Sequence, residues 1–430
     1  MKIPDIISKN LLLKMTSLNA GVVFIRLAVT VVIQRLISDQ LGASGHAKIG
    51  QLRDLMAMLM SLSTLGIFNG VVKYVSQHKE DKIELQKLFS TVFVFILLAS
   101  ILTAAVLFFG ASFLSEAVFG SDRFIYLFKI LAFIVPAISL QRVFNGVVNG
   151  LSAYKKFAKI ELFGFFFATA LLLYCMYNYK LDGILVAIAV TPLIQLGIML
   201  YVFGKVLKEY LDFRDIHFKI PYAKQFLAFS LMSFVSTILL SYINIDVRNM
   251  IENKININDS GYWTTVTNIS KNYMVFSASL FTLYVIPRFA TIYKRNDFKK
   301  EVFQIYKTLL PLFGVGMITI YFFRNYIIEF VYPNFFGMEP LFKWQLMGDF
   351  LRLASLVLAH QFLAKKMVRS FIFSEFLSLG LFYGLAHYLI GFYGVEGVVM
   401  AHFIRYVIYL IVVYLLVTRY FNKNEAKNIE

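Results

Sequence analysis

The segment LFSTVFVFILLASILTAAVLFFG, residues 88–110, decides the fold class of this chain. Its 23 residues include no charged side chain. The hydrocarbon core of a bilayer is about 30 Å thick and is crossed by about 20 apolar residues in a helix. Residues 88–110 are therefore predicted to form a transmembrane helix.

Comparable apolar runs recur along the whole chain, for example at 157–177, 225–243 and 372–390. Of the 430 residues, 59% are hydrophobic and 16% are charged, and the mean hydropathy is +0.70. A soluble domain carries roughly a quarter charged residues. The sequence predicts an all-α polytopic membrane protein.

Apolar runs bounded by charges, Gly, Pro or Asn predict twelve transmembrane helices. A hydrophilic stretch at 204–224 divides them six and six. Paired six-helix halves are common in secondary transporters. We therefore predict two lobes, residues 1–210 and 211–430, around a central cavity. The predicted spans are 11–37, 48–74, 88–110, 124–149, 157–178, 183–204, 224–250, 260–287, 301–322, 340–364, 370–390 and 396–418.

The net charge of +17 is concentrated in alternate loops. The loops at 79–87, 155–159, 205–224, 288–300 and 365–369 hold nineteen Lys and Arg residues. The six loops between them hold five: Lys48, Arg123, Lys180, Lys254 and Arg324. By the positive-inside rule, both termini are predicted to be cytoplasmic in a bacterial inner membrane. The basic character is thus assigned to membrane topology, and no nucleic-acid partner is expected.

Motifs of enzymes and cofactor sites are missing from the sequence. It has no GxxxxGK[ST] loop for ATP, no HExxH and no GxSxG. Its single cysteine, Cys175, excludes an intrachain disulfide and a thiolate metal cluster. We expect His360, His387 and His402 to pack or form hydrogen bonds rather than bind a metal. A non-enzymatic protein without a cofactor is predicted.

Two segments share the core FNGVV: GIFNGVVKYVS at 66–76 and RVFNGVVNGLS at 142–152. Each contains a GxxxG pair, formed by Gly66 and Gly70 and by Gly146 and Gly150. Small residues at this spacing allow helix backbones to approach closely. We predict helix packing here, with Asn69 and Asn145 hydrogen-bonded across a helix contact. A gate at the cytoplasmic mouth is the alternative.

Ionisable residues inside predicted spans are costly and normally mark a functional path. Arg26, Arg53 and Lys271 lie within helices 1, 2 and 8, and no neighbouring carboxylate is evident in their helices beyond Asp54. Unpaired cations in a low-dielectric cavity attract anions, and arginine binds phosphate with its planar fork. These three residues are predicted to bind an anionic, phosphorylated cargo.

Further polar residues lie inside other spans. Asn268, Arg352 and Arg405 are secondary candidates for the cavity lining. Asp349 and Arg352, at i and i+3, alternatively neutralise one another, and Arg405 alternatively pairs with Glu375. Cations within reach of an interface are expected to be snorkelling anchors. These are Arg35, Lys73, Lys129 and Arg142.

Four segments carry a resemblance to a known family. They are QLRDL (51–55), GIFNGVVKYVSQ (66–77), LYVIPRFATIYKR (283–295) and FKWQLMGDFLRL…AKKMVRSF (342–371). Over nearly its whole length the chain resembles the Wzx-type polysaccharide repeat-unit flippases of the multidrug/oligosaccharidyl-lipid/polysaccharide exporter superfamily. The family's twelve helices in two lobes agree with the predicted spans.

The resemblance implies movement of an undecaprenyl-diphosphate-linked oligosaccharide, an O-antigen unit or lipid III, from the cytoplasmic to the periplasmic leaflet by alternating access. Related flippases carry cavity-facing arginines on helices 1, 2 and 8, which match Arg26 and Arg53, whereas Lys271 departs from arginine. The implied partners are the lipid-linked substrate, membrane lipid, and a polysaccharide polymerase and chain-length regulator.

Two other functions compete with this prediction. A multidrug exporter of the same superfamily favours an acidic cavity for cationic drugs, whereas the deep charges here are mostly positive. A membrane-embedded polysaccharide polymerase or ligase generally needs a large outer loop, and the predicted outer loops are short. Without an ATP site, transport requires an ion gradient or removal of product. The candidate proton or ion carriers are Asp54, Asp246 and Asp349, and pairing with nearby cations is the alternative role for each.

Overall fold

The computed structural model describes residues 11–151, 153–210 and 218–427. Within these ranges the regular structure is helical and contains no strand. The predicted all-α fold class is thereby confirmed. The predicted cytoplasmic termini, residues 1–10 and 428–430, lie outside the described residues.

The helices follow the predicted apolar runs. Short π-helical segments, Phe234–Leu239 and Phe281–Val285, interrupt two of the runs. The α-helices are α1 Leu11–Leu62, α2 Phe68–His78, α3 Lys82–Phe109, α4 Ala111–Phe119, α5 Ile125–Gly150, α6 Tyr154–Tyr210, α7 Ala223–Ser233, α8 Leu240–Lys254, α9 Ile257–Leu280, α10 Ile286–Thr291, α11 Arg295–Phe322, α12 Arg324–Val331, α13 Leu341–Ala364 and α14 Val368–Lys427.

Seven helical stretches of the described chain are long and apolar enough to cross a membrane. Two of these, Lys156–Leu207 and Val368–Lys423, contain 52 and 56 residues. Each is more than twice the roughly 20 residues that one crossing needs, and non-helical residues divide them at Lys180 and Gly394. The chain is thus a multi-pass membrane protein, and the count of twelve crossings stays a prediction.

The sharp turns inside α1, α6 and α14 share one backbone design. Each begins with a residue at φ of 61°, 51° or 58° and has a glycine three positions later. That glycine is needed because a Cβ on Gly183 would lie 2.1 Å from the carbonyl oxygen of Cys175. The three pairs are Gly42 with Gly45, Lys180 with Gly183, and Gly394 with Gly397.

Contacts divide the chain into two compact units. Unit 1 contains the residues up to Ile33 together with Lys48–Ile245, and unit 2 contains Gln34–Ala47 together with Asp246–Glu430. Residues 34–47, which the sequence assigns to the N-terminal lobe, group with unit 2. Residues 218–245, which it assigns to the C-terminal lobe, group with unit 1. The predicted boundary at residue 210 adjoins residues 211–217, which are not described. The division into two six-helix lobes stays a prediction.

The core of unit 1 is a cluster of apolar side chains from α2, α3, α5, α6 and α7. Polar contacts hold α7 in this unit. Ser61 and Ser233 bring their hydroxyl oxygens within 2.7 Å, and the Tyr222 hydroxyl donates to Glu84 at 2.7 Å. Residues 218–245 therefore pack with the N-terminal half of the sequence.

The two FNGVV segments pack closely through Gly146 and Gly150, as predicted, whereas Gly66 lies in the turn before α2 at a φ of 66° and forms no helical GxxxG pair. A Cβ on Gly150 of α5 would lie 2.8 Å from Val75 Cβ of α2. The predicted hydrogen bonds of the asparagines across a helix contact are not formed among the described residues. Asn145 instead accepts from Asn149 of the same helix at 2.7 Å, and Asn69 is exposed. This part of the prediction is wrong because a same-helix amide at i+4 satisfies Asn145 first.

The core of unit 2 is an apolar cluster of side chains from α9 to α11, α13 and α14. The turn at Gly42 belongs to this unit. A Cβ on Gly261 would lie 2.0 Å from the Ala43 carbonyl oxygen, and Arg35 donates to the carbonyl of Phe330 at 2.6 Å. Arg35, predicted to be a snorkelling anchor, thus binds the backbone of α12.

Candidate functional site

A buried polar cluster in unit 2 surrounds Asp349 of α13, whose side chain is 0% exposed. Ser270 donates to Asp349 Oδ2 at 2.5 Å, and the Tyr273 hydroxyl donates to the same oxygen. Gln345 Nε2 donates to it at 3.1 Å, and His402 Nε2 lies 3.1 Å from Oδ1. These contacts offset the cost of burying a carboxylate.

Three helices supply the side chains of this cluster, and on α13 the helical spacing brings two of them together. Gln345 and Asp349 are four residues apart on α13, so they lie on one face. Ser270 and Tyr273 belong to α9, and His402 belongs to α14. Gly348 lets α14 approach, because a Cβ there would lie 2.4 Å from the His402 ring. As predicted, His402 serves as a hydrogen-bonding residue.

Arg352 and Arg405, the secondary candidates, lie on α13 and α14. Arg352 approaches Asp349 Oδ1 at 4.0 Å, so mutual neutralisation is present but looser than the contact with His402. Arg405 is 7% exposed, donates to the Tyr406 hydroxyl and stacks over Phe382 at 5.1 Å. Each arginine keeps one buried Nε without a hydrogen-bond partner in the described structure.

The alternative ion pair between Arg405 and Glu375 is not formed among the described residues. Glu375 instead accepts a hydrogen bond from the Tyr409 hydroxyl at 2.9 Å. Arg405 and Tyr409 are four residues apart on α14, so they share a face, and the shorter tyrosine reaches the carboxylate. That prediction is wrong, and Arg405 stays a candidate for the cavity lining.

The other two candidate ion carriers have different surroundings. Asp246 Oδ2 lies 3.3 Å from His387 Nε2, without the alignment of a hydrogen bond, and the side chain is 33% exposed. Asp54 is buried and has an interaction partner. Of the two candidate aspartates in unit 2, Asp349 is the one enclosed by several donors.

Arg26 of unit 1 is paired with a carboxylate. Its guanidinium lies 2.6 Å from Glu161 Oε2 of α6 and 5.4 Å from the centre of the Phe165 ring. The prediction that Arg26 has no counter-ion is therefore wrong. Glu161 comes from a helix distant in sequence, so no pattern within helix 1 reveals it.

Arg53 and Lys271 also have interaction partners. Arg53 is half-buried in unit 1, and Lys271 is exposed in unit 2. Asn268, a secondary candidate for the cavity lining, is half-buried. Arg26 and Arg53 belong to one unit and Lys271 to the other, so their joint binding of one phosphate group stays a prediction.

Two further arginines were not assigned a functional place by the sequence. Arg248 of α8 is 1% exposed and donates to Thr264 Oγ1 at 2.8 Å. Arg142 lies 3.7 Å from the centre of the Phe68 ring and makes no ion pair or hydrogen bond within the described part of unit 1. In the sequence each is an arginine inside an apolar run. That pattern does not distinguish a buried arginine from an interfacial anchor.

A polar contact outside the membrane spans joins α3 to the chain just before α7. The Tyr222 hydroxyl donates to Glu84, which also accepts from Lys87 at 2.7 Å. Burial, followed by the hydrogen bond to Glu84, raises the pKa of the Tyr222 hydroxyl well above its ordinary value. Tyr222 thus stays protonated and keeps donating at physiological pH.

The donors around Asp349 stabilise its charged form. A protonated carboxyl keeps part of its acceptor capacity and gains an O–H donor, so at least one donor from α9, α13 or α14 would have to turn away. No group of three or more His, Cys, Asp or Glu suited to a metal occurs in the described residues.

Comparison with known proteins gives one family and a shared fold. The polysaccharide biosynthesis protein family matches residues 53–337. The lipid III flippase of Escherichia coli (strain K12) is 26% identical over 397 residues, which are 91% of this chain and 94% of that protein.

Two solved structures of a MATE-family multidrug resistance transporter have the same fold. The outward-facing form has a TM-score of 0.73 at 13% identity, with 96% of this chain and 97% of that chain covered. The inward-facing form has a TM-score of 0.72 at 14% identity, with 94% and 99% covered.

Proposed function

Because the chain belongs to the polysaccharide biosynthesis protein family, we propose that it is a flippase for a lipid-linked oligosaccharide. The observation that carries the proposal is the similarity to the lipid III flippase along nearly all of both chains. The proposed cargo is an O-antigen unit or lipid III on undecaprenyl diphosphate. It moves from the cytoplasmic to the periplasmic leaflet of the bacterial inner membrane, and both termini are cytoplasmic.

The diphosphate is proposed to bind Arg26, with Arg53 and Lys271 as further contacts. The Arg26–Glu161 pair supports a specific form of this proposal. Glu161 holds the guanidinium in the empty protein, and the diphosphate replaces Glu161 when the substrate enters. Arg26 is 41% exposed in its side chain, so a ligand has access to it. The exchange keeps the Arg26 guanidinium paired with an anion throughout.

The direction of transport is proposed to come from proton binding at Asp349, which is enclosed by donors from three helices. Protonation would loosen α9, α13 and α14 from one another, and release of the proton would restore their contacts. Asp54 and Asp246 are the alternative carriers. A population shift of this kind requires the proton to bind the two conformations with different affinity.

A multidrug exporter is the second candidate, and the shared fold with a multidrug transporter favours it. The mostly positive charges inside the spans argue for an anionic cargo instead. A polymerase or ligase is disfavoured because no catalytic motif is present. A polysaccharide polymerase and a chain-length regulator are proposed as neighbours that consume the product.

Complementation of a bacterial strain lacking its polysaccharide flippase tests the proposal. Wild-type protein is expected to restore surface glycan, and Arg26→Ala, Arg53→Ala and Lys271→Ala are expected to reduce it at equal protein levels. Lys307→Ala, an exposed lysine of α11, is the matched control. Full surface glycan in all three variants contradicts the diphosphate site. If well-expressed wild-type protein restores surface glycan with no lipid-linked glycan, the proposed function is contradicted.

A further inference from the structure

An apolar groove of about 840 Å³ lies between α11 and α13 of unit 2. Its volume is within the roughly 300–1,000 Å³ of small-molecule sites. Both helices are membrane-spanning. The side chains that shape the groove are Ile318, Phe322, Met347, Phe350 and Phe403, beside Gly314.

The groove forms because two helical stripes face each other across a glycine. Residues 314, 318 and 322 repeat every four positions on α11, as do 343, 347 and 351 on α13. A Cβ on Gly314 would lie 3.5 Å from the Phe350 ring, in ordinary contact. Ile318 and Phe322 are 58% and 72% exposed, so hydrocarbon chains of the bilayer can enter from the side.

A lysine stands at one end of this groove. Lys343 is exposed, and its ammonium lies 5.0 Å from the centre of the Trp344 ring. In the described structure Lys343 has no carboxylate partner, whereas nearby Arg324 is paired with Glu339 at 2.5 Å. The site therefore combines an apolar slot with one available positive charge, which complements a lipid phosphate.

We propose that this groove binds the polyprenyl chain of the lipid-linked substrate next to its diphosphate, with the phosphate at Lys343. The inference rests on the proposed flippase function. Aromatic rings at Phe322, Phe350 and Phe403 offer broad faces to a methyl-branched, unsaturated chain, and the Gly314 notch accommodates a branch. A straight-chain phospholipid lacks the branches that this notch fits.

The position of the groove indicates the stage of transport that it serves. From residue 314 to residue 322 α11 rises about 12 Å, less than half of the bilayer core of about 30 Å. The groove thus holds the part of the chain nearest to the head group. In the proposed orientation the loop between α11 and α13 is periplasmic. The groove then binds the lipid after its head group has crossed and before the substrate leaves the protein.

Photocrosslinking of the purified full-length protein in nanodiscs tests this site. The probe is undecaprenyl diphosphate with a diazirine in the isoprene units next to the phosphate. We expect labelled peptides to contain residues 314–322 and 343–351. Unlabelled undecaprenyl diphosphate should compete, and equal amounts of phosphatidylglycerol or inorganic diphosphate should not. Equal competition by phosphatidylglycerol would identify ordinary bilayer lipid and overturn the proposal.

Matched variants locate the probe. Gly314→Leu fills the groove and should lower its labelling roughly tenfold. Gly380→Leu, at an exposed α14 glycine with open space around it, should not. Lys343→Gln should weaken labelling and Lys307→Gln should not. If Gly314→Leu fails to fold, the lysine pair decides. Unchanged labelling in Lys343→Gln and in folded Gly314→Leu contradicts the site.

Failure of this site and failure of the proposed function give different results. If wild-type protein flips the lipid-linked oligosaccharide but the groove is not labelled, the groove proposal is wrong and the function stands. If wild-type protein does not flip it, the function is wrong, whatever the groove binds.

Discussion

Arg26 poses the sharpest question among the single residues, because it faces a carboxylate and is also proposed to bind diphosphate. A purely structural ion pair and a substrate-binding arginine respond differently when both partners are removed. Removal of one partner leaves an uncompensated charge, whereas removal of both relieves it.

We predict that Arg26→Ala and the double variant Arg26→Ala/Glu161→Ala both reduce flipping about tenfold or more. Glu161→Gln should retain it, because Arg26 then remains available for diphosphate. The measurement is transport in proteoliposomes at matched amounts of folded protein. Recovery of wild-type transport in the double variant would mean that Arg26 serves only to neutralise Glu161.

Asp349 offers a stability prediction. Asp349→Ala leaves buried donors from Ser270, Tyr273 and His402 unsatisfied and should lower the free energy of unfolding by about 3–5 kcal/mol. Asp349→Asn keeps one acceptor oxygen and should cost less. Thermal unfolding in detergent measures both. Asp246→Ala, at a partly exposed aspartate, is the control. An equal loss of unfolding free energy in that variant would contradict the prediction that the Asp349 cluster contributes more to stability.

At the level of helices, the three tight turns give a direct comparison. Lys180 adopts a φ of 51° and a ψ of −127°, a sparsely populated combination that costs a non-glycine residue about 1–3 kcal/mol, whereas the corresponding positions in the other two turns are Gly42 and Gly394. The protein therefore carries strain at one turn that it avoids at two others.

We predict that Lys180→Gly raises the free energy of unfolding by about 1 kcal/mol and that Gly394→Ala lowers it by about 1–2 kcal/mol. Lys180→Ala removes the same side chain while retaining a Cβ, so it should show little gain. Thermal unfolding of the three variants is the measurement. A similar gain from Lys180→Ala and Lys180→Gly would assign the effect to lysine's charge or length.

Helix positions were predictable from the sequence because hydrocarbon requires long apolar runs. The predicted run 48–74 is the exception to continuous helix, because a turn at 63–67 divides it between α1 and α2. The close packing of the FNGVV helices was predictable for the same kind of reason, since GxxxG acts locally. Partners across helices were not. Glu161 beside Arg26, and Ser270 and Tyr273 beside Asp349, depend on which helix faces lie together. The spacing of residues within one helix does not reveal which face of another helix packs against it.

For the whole molecule, the proposed orientation in the membrane rests on the charge distribution alone and is open to a direct test. A variant with Cys175→Ala removes the sole cysteine. Single cysteines at positions 40, 122 and 393, which are exposed, should then react with a membrane-impermeant thiol reagent added outside spheroplasts. Cysteines at positions 79, 294 and 366 should react only after the membrane is opened. The reverse pattern would contradict the proposed cytoplasmic termini.

The central claim is that this chain moves a lipid-linked oligosaccharide between leaflets. The most direct measurement uses purified protein in proteoliposomes that carry an undecaprenyl-diphosphate oligosaccharide, with lectin capture of the glycan on each side over time. The account predicts movement well above that of protein-free vesicles and its loss in Arg26→Ala/Glu161→Ala. Movement at the protein-free rate with folded wild-type protein, or transport of a cationic dye in its place, would contradict the account.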